Sequence, residues 1–131
     1  MKRIGFTIKT KANIEIIDIT TKINSFLRNG DYTANMCNIF VPHTTAGVTI
    51  NENSDPEVMN DFLRKVNQLI PVNDSYHHLE GNSPAHIKTI LCGSSLVVPV
   101  KENQLFLGRW QGIFLMEFDG PRERKVIITI F

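Results

Sequence analysis

Residues 54–71, SDPEVMNDFLRKVNQLIP, carry the clearest local structural signal in the chain. Ser54 and Glu57 have the spacing of a capping box, whereas Asp55 and Pro56 could instead be the N-cap and the first helical residue. Up to the closing proline, apolar residues recur every three or four positions, as in an amphipathic helix of about four turns; they are Val58, Met59, Phe62, Leu63, Val66, Leu69 and Ile70. The stretch therefore predicts a helix with one face packed on the protein.

Shorter helices and several strands surround this helix. One helical pattern begins near Thr20 and ends at Gly30, and another begins at Ser83 and ends at Gly93. Runs of β-branched and apolar residues predict strands, with the first two placed to form a hairpin; they cover residues 4–8, 14–17, 34–42, 46–51, 96–100, 104–107, 112–118 and 125–131. Because strands come first and last with helices between them, residues 1–131 are predicted to form one α+β domain.

The composition is globular and nearly balanced in charge. Hydrophobic residues make up 42% of the chain, charged residues make up 21%, and the net charge of +1 offers no overall field for nucleic acid or an anionic membrane. No apolar run approaches the roughly twenty residues of a membrane-spanning helix. Cys37 and Cys92 lack CxxC spacing and lie in apolar stretches, which predicts two buried, reduced thiols. No signal-peptide pattern follows Met1, so we expect a cytoplasmic protein.

Motifs of several common enzyme classes are absent from the sequence. There is no GxGxxG fingerprint, no P-loop, no GxSxG elbow and no cysteine in a polar setting. These absences argue against dinucleotide binding, P-loop NTPase chemistry and the standard hydrolase triads.

The histidines lie in polar segments where a site could form. His43 occupies a turn between two predicted strands and is followed by the hydroxyl residues Thr44 and Thr45. His78 and His86 bracket a polar loop, and His86 is near the start of a helix, where free backbone N–H groups favour anions. Three neutral imidazoles with one open position are a known arrangement for catalytic zinc. A carboxylate could serve as a further ligand or as a base, the candidates being Glu52, Asp55 and Glu80.

The spacing of these histidines does not by itself establish a metal site. His78 and His86 lack the one-turn spacing of the HExxH helix motif. The histidines could also cap helices, bond backbone carbonyls or be exposed, and His77 is the one expected to be incidental. Alternation along an extended chain lets only one of His77 and His78 face the site.

Three further segments supply candidate residues. Asn51 and Glu52 end a predicted strand and should point to opposite faces, so one is expected to face the site and the other to stabilise the turn. Asp55 is either an N-cap or a site residue. The segment 108–112, GRWQG, places the only Trp beside a cation and an amide, which suggests a ligand wall or a subunit contact. An ordinary core anchor in a β-bulge is the alternative for Trp110.

Taken in order, these motifs resemble the YjbQ-like family, also named secondary thiamine-phosphate synthase. The resemblance covers nearly the whole chain, through HTTA at 43–46, INEN at 50–53, Asp55, YHH at 76–78, Glu80, PAHIK at 84–88 and the segment 108–113. The chain departs from the family at Arg109, where a threonine is usual. A long cation there could bind an anionic group or lie on the surface.

The resemblance implies an α+β fold with a mixed, mainly antiparallel sheet or sandwich and about three helices, assembled as a homotrimer. It implies a pocket at or near subunit boundaries. It also implies that His43, His78 and His86 bind a divalent metal, expected to be zinc with magnesium or manganese as alternatives. Around the metal we expect Glu52, Asp55 and Glu80 as catalytic carboxylates, and Thr44, Thr45, Asn51, Asn82, Lys88, Arg109, Trp110 and Gln111 as substrate contacts.

The family name implies a thiamine-phosphate synthase activity. Such an enzyme joins a hydroxymethylpyrimidine diphosphate to a thiazole phosphate, and a divalent ion would neutralise the pyrophosphate that leaves. Glu52 or Glu80 would act as acid or base, and Arg109 or Lys88 would meet a phosphate. The alternatives are a metal-dependent hydrolase of another small phosphorylated or carbonyl substrate, and a non-catalytic trimeric binding or scaffold protein.

Overall fold

The structure, a computed structural model, describes residues 1–31 and 33–131. Within them the chain forms the helices α1 (Thr20–Asn29), α2 (Pro56–Leu69) and α3 (Ser83–Cys92). The strands are β1 (Lys2–Lys9), β2 (Glu15–Asp18), β3 (Met36–Phe40), β4 (Ala46–Glu52), β5 (Ser95–Lys101), β6 (Gln104–Leu105), β7 (Gln111–Glu117) and β8 (Glu123–Ile130). The predicted helices and strands are confirmed, and β6 is shorter than expected. Among the described residues, none of the helices has the length and hydropathy of a membrane span.

The strands form two antiparallel sheets within one α+β domain. One sheet has the order β1-β8-β3-β5-β6 and the other has the order β2-β7-β4. The predicted hairpin between residues 4–8 and 14–17 is wrong, because β1 pairs along its whole length with β8 whereas β2 pairs with β7. Both strands therefore find their partners in the last third of the chain rather than in each other.

Strand β7 is central to the core because both of its faces are buried. Ile113 and Leu115 pack in a cluster with residues of α1 and the five-stranded sheet. Phe114 and Met116 point the other way, as strand alternation requires, and pack in a second cluster with residues of α2 and α3. Helix α3, and with it His86, therefore packs on the face of the three-stranded sheet that presents Phe114 and Met116.

The caps of α2 and α3 follow from local sequence. The carboxylate of Asp55 accepts a hydrogen bond from the Glu57 N–H at 3.0 Å, which makes Asp55 the N-cap and Pro56 the first residue of α2. The capping choice left open by the sequence is thereby decided in favour of Asp55. Helix α3 follows Asn82 and ends at Gly93, whose φ of 89° lies in the region that favours glycine.

The two cysteines are both free thiols. Cys37 is buried, and burial raises the pKa of its thiol to about 12. Cys92, the last residue of α3, is only half-buried. The prediction of a buried thiol is therefore confirmed for Cys37 and is only partly met at Cys92.

Candidate functional site

His78 and His86 are in direct contact at the start of α3. Their ring centroids lie 5.1 Å apart with an angle of 88° between the ring planes, an edge-to-face arrangement. Both histidines line one shallow cavity, which His77 also lines. The ring contact with His86 is made by His78. Alternation along the sequence could not tell which of His77 and His78 would face the site.

His43 lies on the loop between β3 and β4 and lines a neighbouring cavity. This cavity has a volume of about 310 Å³ and is also bounded by Thr44, His86, Thr89 and Ser94. His86 therefore stands between His78 on one side and the His43 cavity on the other. The fold brings the three candidate histidines to adjoining surfaces around α3.

The hydrogen bonding of His43 defines which of its nitrogens carries the proton. The Lys125 N–H donates to His43 Nε2 at 2.8 Å. A neutral imidazole has one N–H and one accepting nitrogen, so this bond leaves the proton on Nδ1. Burial, followed by the positive charge of Arg124, lowers the pKa of His43 and favours the neutral ring. In this arrangement His43 presents an N–H donor and has no free lone pair for a metal.

The ring contact brings together two of the three candidate ligands, His78 and His86. Among residues 1–31 and 33–131, no group of three or more His, Cys, Asp or Glu side chains could hold an ion. The three-histidine set implied by the family resemblance is therefore not assembled within one chain.

A buried ion pair lies behind the His43 loop. Glu117 is fully buried and Arg124 is 3% exposed, and Arg124 Nε donates to Glu117 Oε1 at 2.8 Å. Arg124 Nη2 also donates to the Thr45 hydroxyl at 2.8 Å, and the Thr10 hydroxyl donates to Glu117 at 2.7 Å. Because Thr45 follows His43 by two residues, this ion pair anchors one side of the site.

The same network reaches the residue that precedes α3. The Asp119 N–H donates to Glu117 Oε2 at 3.1 Å. Asp119 in turn accepts from Asn82 Nδ2 at 2.9 Å and from Arg122 Nη2 at 3.0 Å. Asn82 therefore helps to fix the start of α3, on which His86 lies.

Sequence reasoning did not identify Glu117 and Arg124 as important residues. The available signal was Glu117 itself, a carboxylate in the otherwise apolar run 113–118 of a predicted strand. A charge in a buried strand requires a partner of opposite sign. The next cations along the chain, Arg122 and Arg124, were therefore the candidates.

The candidates near the end of β4 lie in other cavities. Glu52 and Asp55 line a cavity of about 350 Å³ that also includes Asp18, whereas the histidines line different ones. Asn51 lines a third cavity, next to apolar residues of α2. Asn51 and Glu52 thus line different cavities, and neither joins the histidines within the chain.

Two charged candidates have other contacts. Glu80 is exposed, and its carboxylate accepts from Asn82 Nδ2 at 3.3 Å. Lys88 is buried, and its Nζ donates to Asn67 Oδ1 at 2.6 Å, which links α3 to α2. Burial lowers the pKa of Lys88. Lys88 thus has a structural contact between helices, while Glu80 stays on the accessible loop beside His78.

The GRWQG segment begins as an exposed turn at residues 108–110 and continues into β7. Trp110 is 52% exposed, and the Arg109 guanidinium lies 4.7 Å from the centroid of its ring. The core-anchor alternative for Trp110 is therefore wrong. Gln111 Oε1 accepts from the Gly108 N–H at 2.8 Å and closes the turn. The stacked Arg109–Trp110 pair remains accessible for a ligand or a subunit contact.

Residues 4–131 match the family model described as UPF0047 protein YjbQ-like. A UPF0047 protein of Methanocaldococcus jannaschii is 47% identical over 125 residues, which are 95% of this chain and 91% of that protein. The UPF0047 protein YugU of Bacillus subtilis is 46% identical, with 94% of each chain covered.

Solved structures of similar proteins share the fold. A crystal structure of an uncharacterized protein of the same family from Clostridium acetobutylicum has a TM-score of 0.93 and 44% identity, covering 98% of this chain and 99% of that one. A protein of unknown function from Sulfolobus solfataricus has a TM-score of 0.91 and 32% identity, covering 98% of this chain and 95% of that one.

Proposed function

Because the chain belongs to the YjbQ-like UPF0047 family, we propose that it is a metal-dependent enzyme acting on a small phosphorylated substrate. The supporting observation is the edge-to-face contact of His78 and His86 at 5.1 Å, beside a cavity lined by His43 and Thr44. Imidazole ligands favour zinc over magnesium or manganese, which prefer oxygen ligands. Zinc is therefore the proposed ion, with the other two as alternatives.

In this proposal His78 and His86 hold the ion. When bound, a divalent ion would neutralise negative charge on a phosphoryl group or polarise an oxygen. Glu80 is the carboxylate proposed as acid or base, because it is exposed on the same loop as His78. Asp55 caps α2, and Glu52 lines a different cavity, so neither is assigned to this site.

The reaction proposed first is the one that the family resemblance implies. The ring nitrogen of a thiazole phosphate bonds to the methylene carbon of a hydroxymethylpyrimidine diphosphate. The carbon–oxygen bond to the diphosphate breaks, and pyrophosphate leaves with the bonding electrons. Arg109, a long and exposed cation stacked on Trp110, is the residue proposed to meet a phosphate group outside the histidine cavities.

We also propose a homotrimer. Three large apolar side chains near the end of α2 and α3 are exposed: Leu69 is 70% exposed, Ile90 is 78% exposed and Leu91 is 68% exposed. Exposed apolar groups of this size mark contact surfaces. Sedimentation equilibrium is expected to give three times the chain mass of 14.9 kDa. Replacing Ile90 and Leu91 by Ser is expected to shift the mass towards one chain, and a monomeric wild-type protein would contradict the assembly.

The free thiols agree with a reducing compartment. We therefore propose a cytoplasmic location.

The decisive test of the metal site compares two histidine variants. Wild-type protein purified without an affinity tag is titrated with zinc, magnesium and manganese. Binding of the preferred ion is expected to be weakened at least about a hundredfold by His86→Ala, because one of the two imidazole ligands is lost. His77→Ala is the matched control, since His77 lines the same cavity without the ring contact to His86, and it should bind metal as the wild type does.

The outcomes separate the alternatives. Zinc binding lost in His86→Ala and kept in His77→Ala supports the metal site. Metal-dependent release of phosphate without joining of the two substrates would favour a hydrolase. A wild type that binds none of the three ions would contradict the metal proposal and favour a binding or scaffold protein.

A further inference from the structure

We propose that the cavity between the β3–β4 loop and α3 binds a tetrahedral oxyanion such as a phosphoryl group, with the Thr89 hydroxyl as its buried donor. This inference deepens the proposed function by naming the part of the site that would take the phosphorylated end of the substrate. The inference rests on the proposed function in one respect, which is the identity of the complete substrate. Oxyanion binding itself can be measured separately.

The first observation is an unpaired hydroxyl. Thr89 is 6% exposed, and its Oγ1 is buried without a hydrogen-bond partner among the described residues of the chain. A helical threonine commonly bonds a backbone carbonyl one turn earlier. A buried hydroxyl without a partner destabilises the folded state. Thr89 also lines the 310 Å³ cavity, so rotation of its side chain about χ1 would turn the hydroxyl towards a ligand bound there.

The second observation is the chemistry of the other lining groups. Thr44 and Ser94 add hydroxyls to the same cavity, and His43 adds an imidazole whose Nε2 is occupied by the Lys125 N–H. The donor left on that ring is Nδ1–H. None of the described lining residues is acidic, so the lining itself places no carboxylate against an anion. Hydroxyls and a neutral imidazole N–H are donors that suit several oxygens of one oxyanion.

The third observation is the position of the cavity relative to the histidine pair. His86 lines it and also contacts His78 on its other side. A phosphoryl group bound by Thr89 would therefore lie next to the proposed metal ligands. A divalent ion held by those ligands would then be placed to neutralise the negative charge of the phosphoryl group.

Thr89→Val tests the idea because it keeps the shape of the side chain and removes only the hydroxyl. The variant protein without ligand is expected to unfold at a higher temperature than the wild type, since an unpaired buried hydroxyl is replaced by a methyl group. Its affinity for inorganic phosphate is expected to fall about tenfold or more. A purely structural threonine would not produce a gain in stability together with a loss of binding.

The experiment is a calorimetric titration of the full-length protein with inorganic phosphate at constant ionic strength, both as purified and after chelation of metal. Thr49→Val is the matched control, because Thr49 lines a different cavity. Ser94→Ala is a second test at an exposed position that cannot disturb the core, and it should also weaken binding. Loss of phosphate binding in Thr89→Val and Ser94→Ala, with Thr49→Val unchanged, supports the proposal.

Two results would overturn it. One is a wild type that fails to bind phosphate in either metal state. The other is equal binding by the wild type, Thr89→Val and Ser94→Ala, which would place the ion elsewhere. Metal content measured on the same samples distinguishes the oxyanion site from the proposed metal site. Phosphate binding can fail while His86-dependent metal binding persists, and metal binding can fail while phosphate binding persists.

Discussion

Replacing Glu117 by Gln is expected to lower the free energy of unfolding by about 3–5 kcal/mol. The substitution keeps the shape of the side chain but removes the charge that balances Arg124, which is only 3% exposed. Breaking a buried ion pair on one side leaves a buried charge without compensation, and this cost exceeds the loss of the attraction itself. The Thr10 hydroxyl and the Asp119 N–H also donate to this carboxylate.

Urea unfolding of both proteins at pH 7 measures the difference. Glu123→Gln is the matched control, because Glu123 pairs with Lys9 at 3.8 Å and both side chains are largely exposed. An exposed pair contributes about 0–1 kcal/mol, so the control should lie close to the wild type. Equal and small effects of Glu117→Gln and Glu123→Gln would contradict the role assigned to the buried pair.

The stability of the wild type should also depend on pH through Glu117. Burial alone raises the pKa of this carboxyl, but hydrogen bonds from Arg124 and Thr10 outweigh burial and lower the pKa below its ordinary value of 4.5. The stabilisation of the folded protein by ionised Glu117 is therefore complete above pH 4.5, and it is lost as the pH falls through the folded-state pKa of this carboxyl. The difference in stability between wild type and Glu117→Gln should accordingly narrow below pH 4.5.

Gly47→Ala is expected to destabilise the protein by about 1–3 kcal/mol. A Cβ at this position in β4 would lie 2.6 Å from the carbonyl oxygen of Gly93, which is backbone and cannot rotate away. The same carbonyl accepts from the Val48 N–H at 3.0 Å, so relieving the clash would stretch a hydrogen bond that ties β4 to the end of α3. Thermal and urea unfolding report the loss.

Gly5→Ala provides the comparison for Gly47→Ala. Gly5 is also in a strand, but a Cβ there would meet its nearest atoms at 3.9 Å, an ordinary contact. Alanine should therefore be tolerated at Gly5 with little change in stability. Because Gly93 also lines the Thr89 cavity, Gly47→Ala should weaken phosphate binding as well. If Gly47→Ala were as stable as Gly5→Ala, the close approach of β4 to α3 would not be a constraint.

The buried network explains how distant parts of the chain hold one site. Arg124 bonds Thr45 on the His43 loop, and Asp119 bonds Asn82 at the start of α3. Both arms meet at Glu117, which is fully buried. Replacing Glu117 should therefore displace both the His43 loop and the start of α3.

Local sequence determined where the helices and strands of this protein lie. The three- and four-residue spacing placed α2, and the choice between Ser54 and Asp55 as its cap was the only open point at its start. Gly30 and Gly93 ended the other helices as expected. These features depend on hydrogen bonds and side chains within a few residues, so their signals are present in any short window of sequence.

Tertiary structure alone decided the strand partners and the membership of the site. Strand β1 lies beside β8 and not β2, Trp110 is exposed and not in the core, and Glu117 meets Arg124 under the His43 loop. It also placed His78 against His86 while leaving Glu52 in another cavity. The physical reason is that such contacts join residues far apart in the chain, and their stability depends on burial and pairing that exist only after the two sheets have packed together.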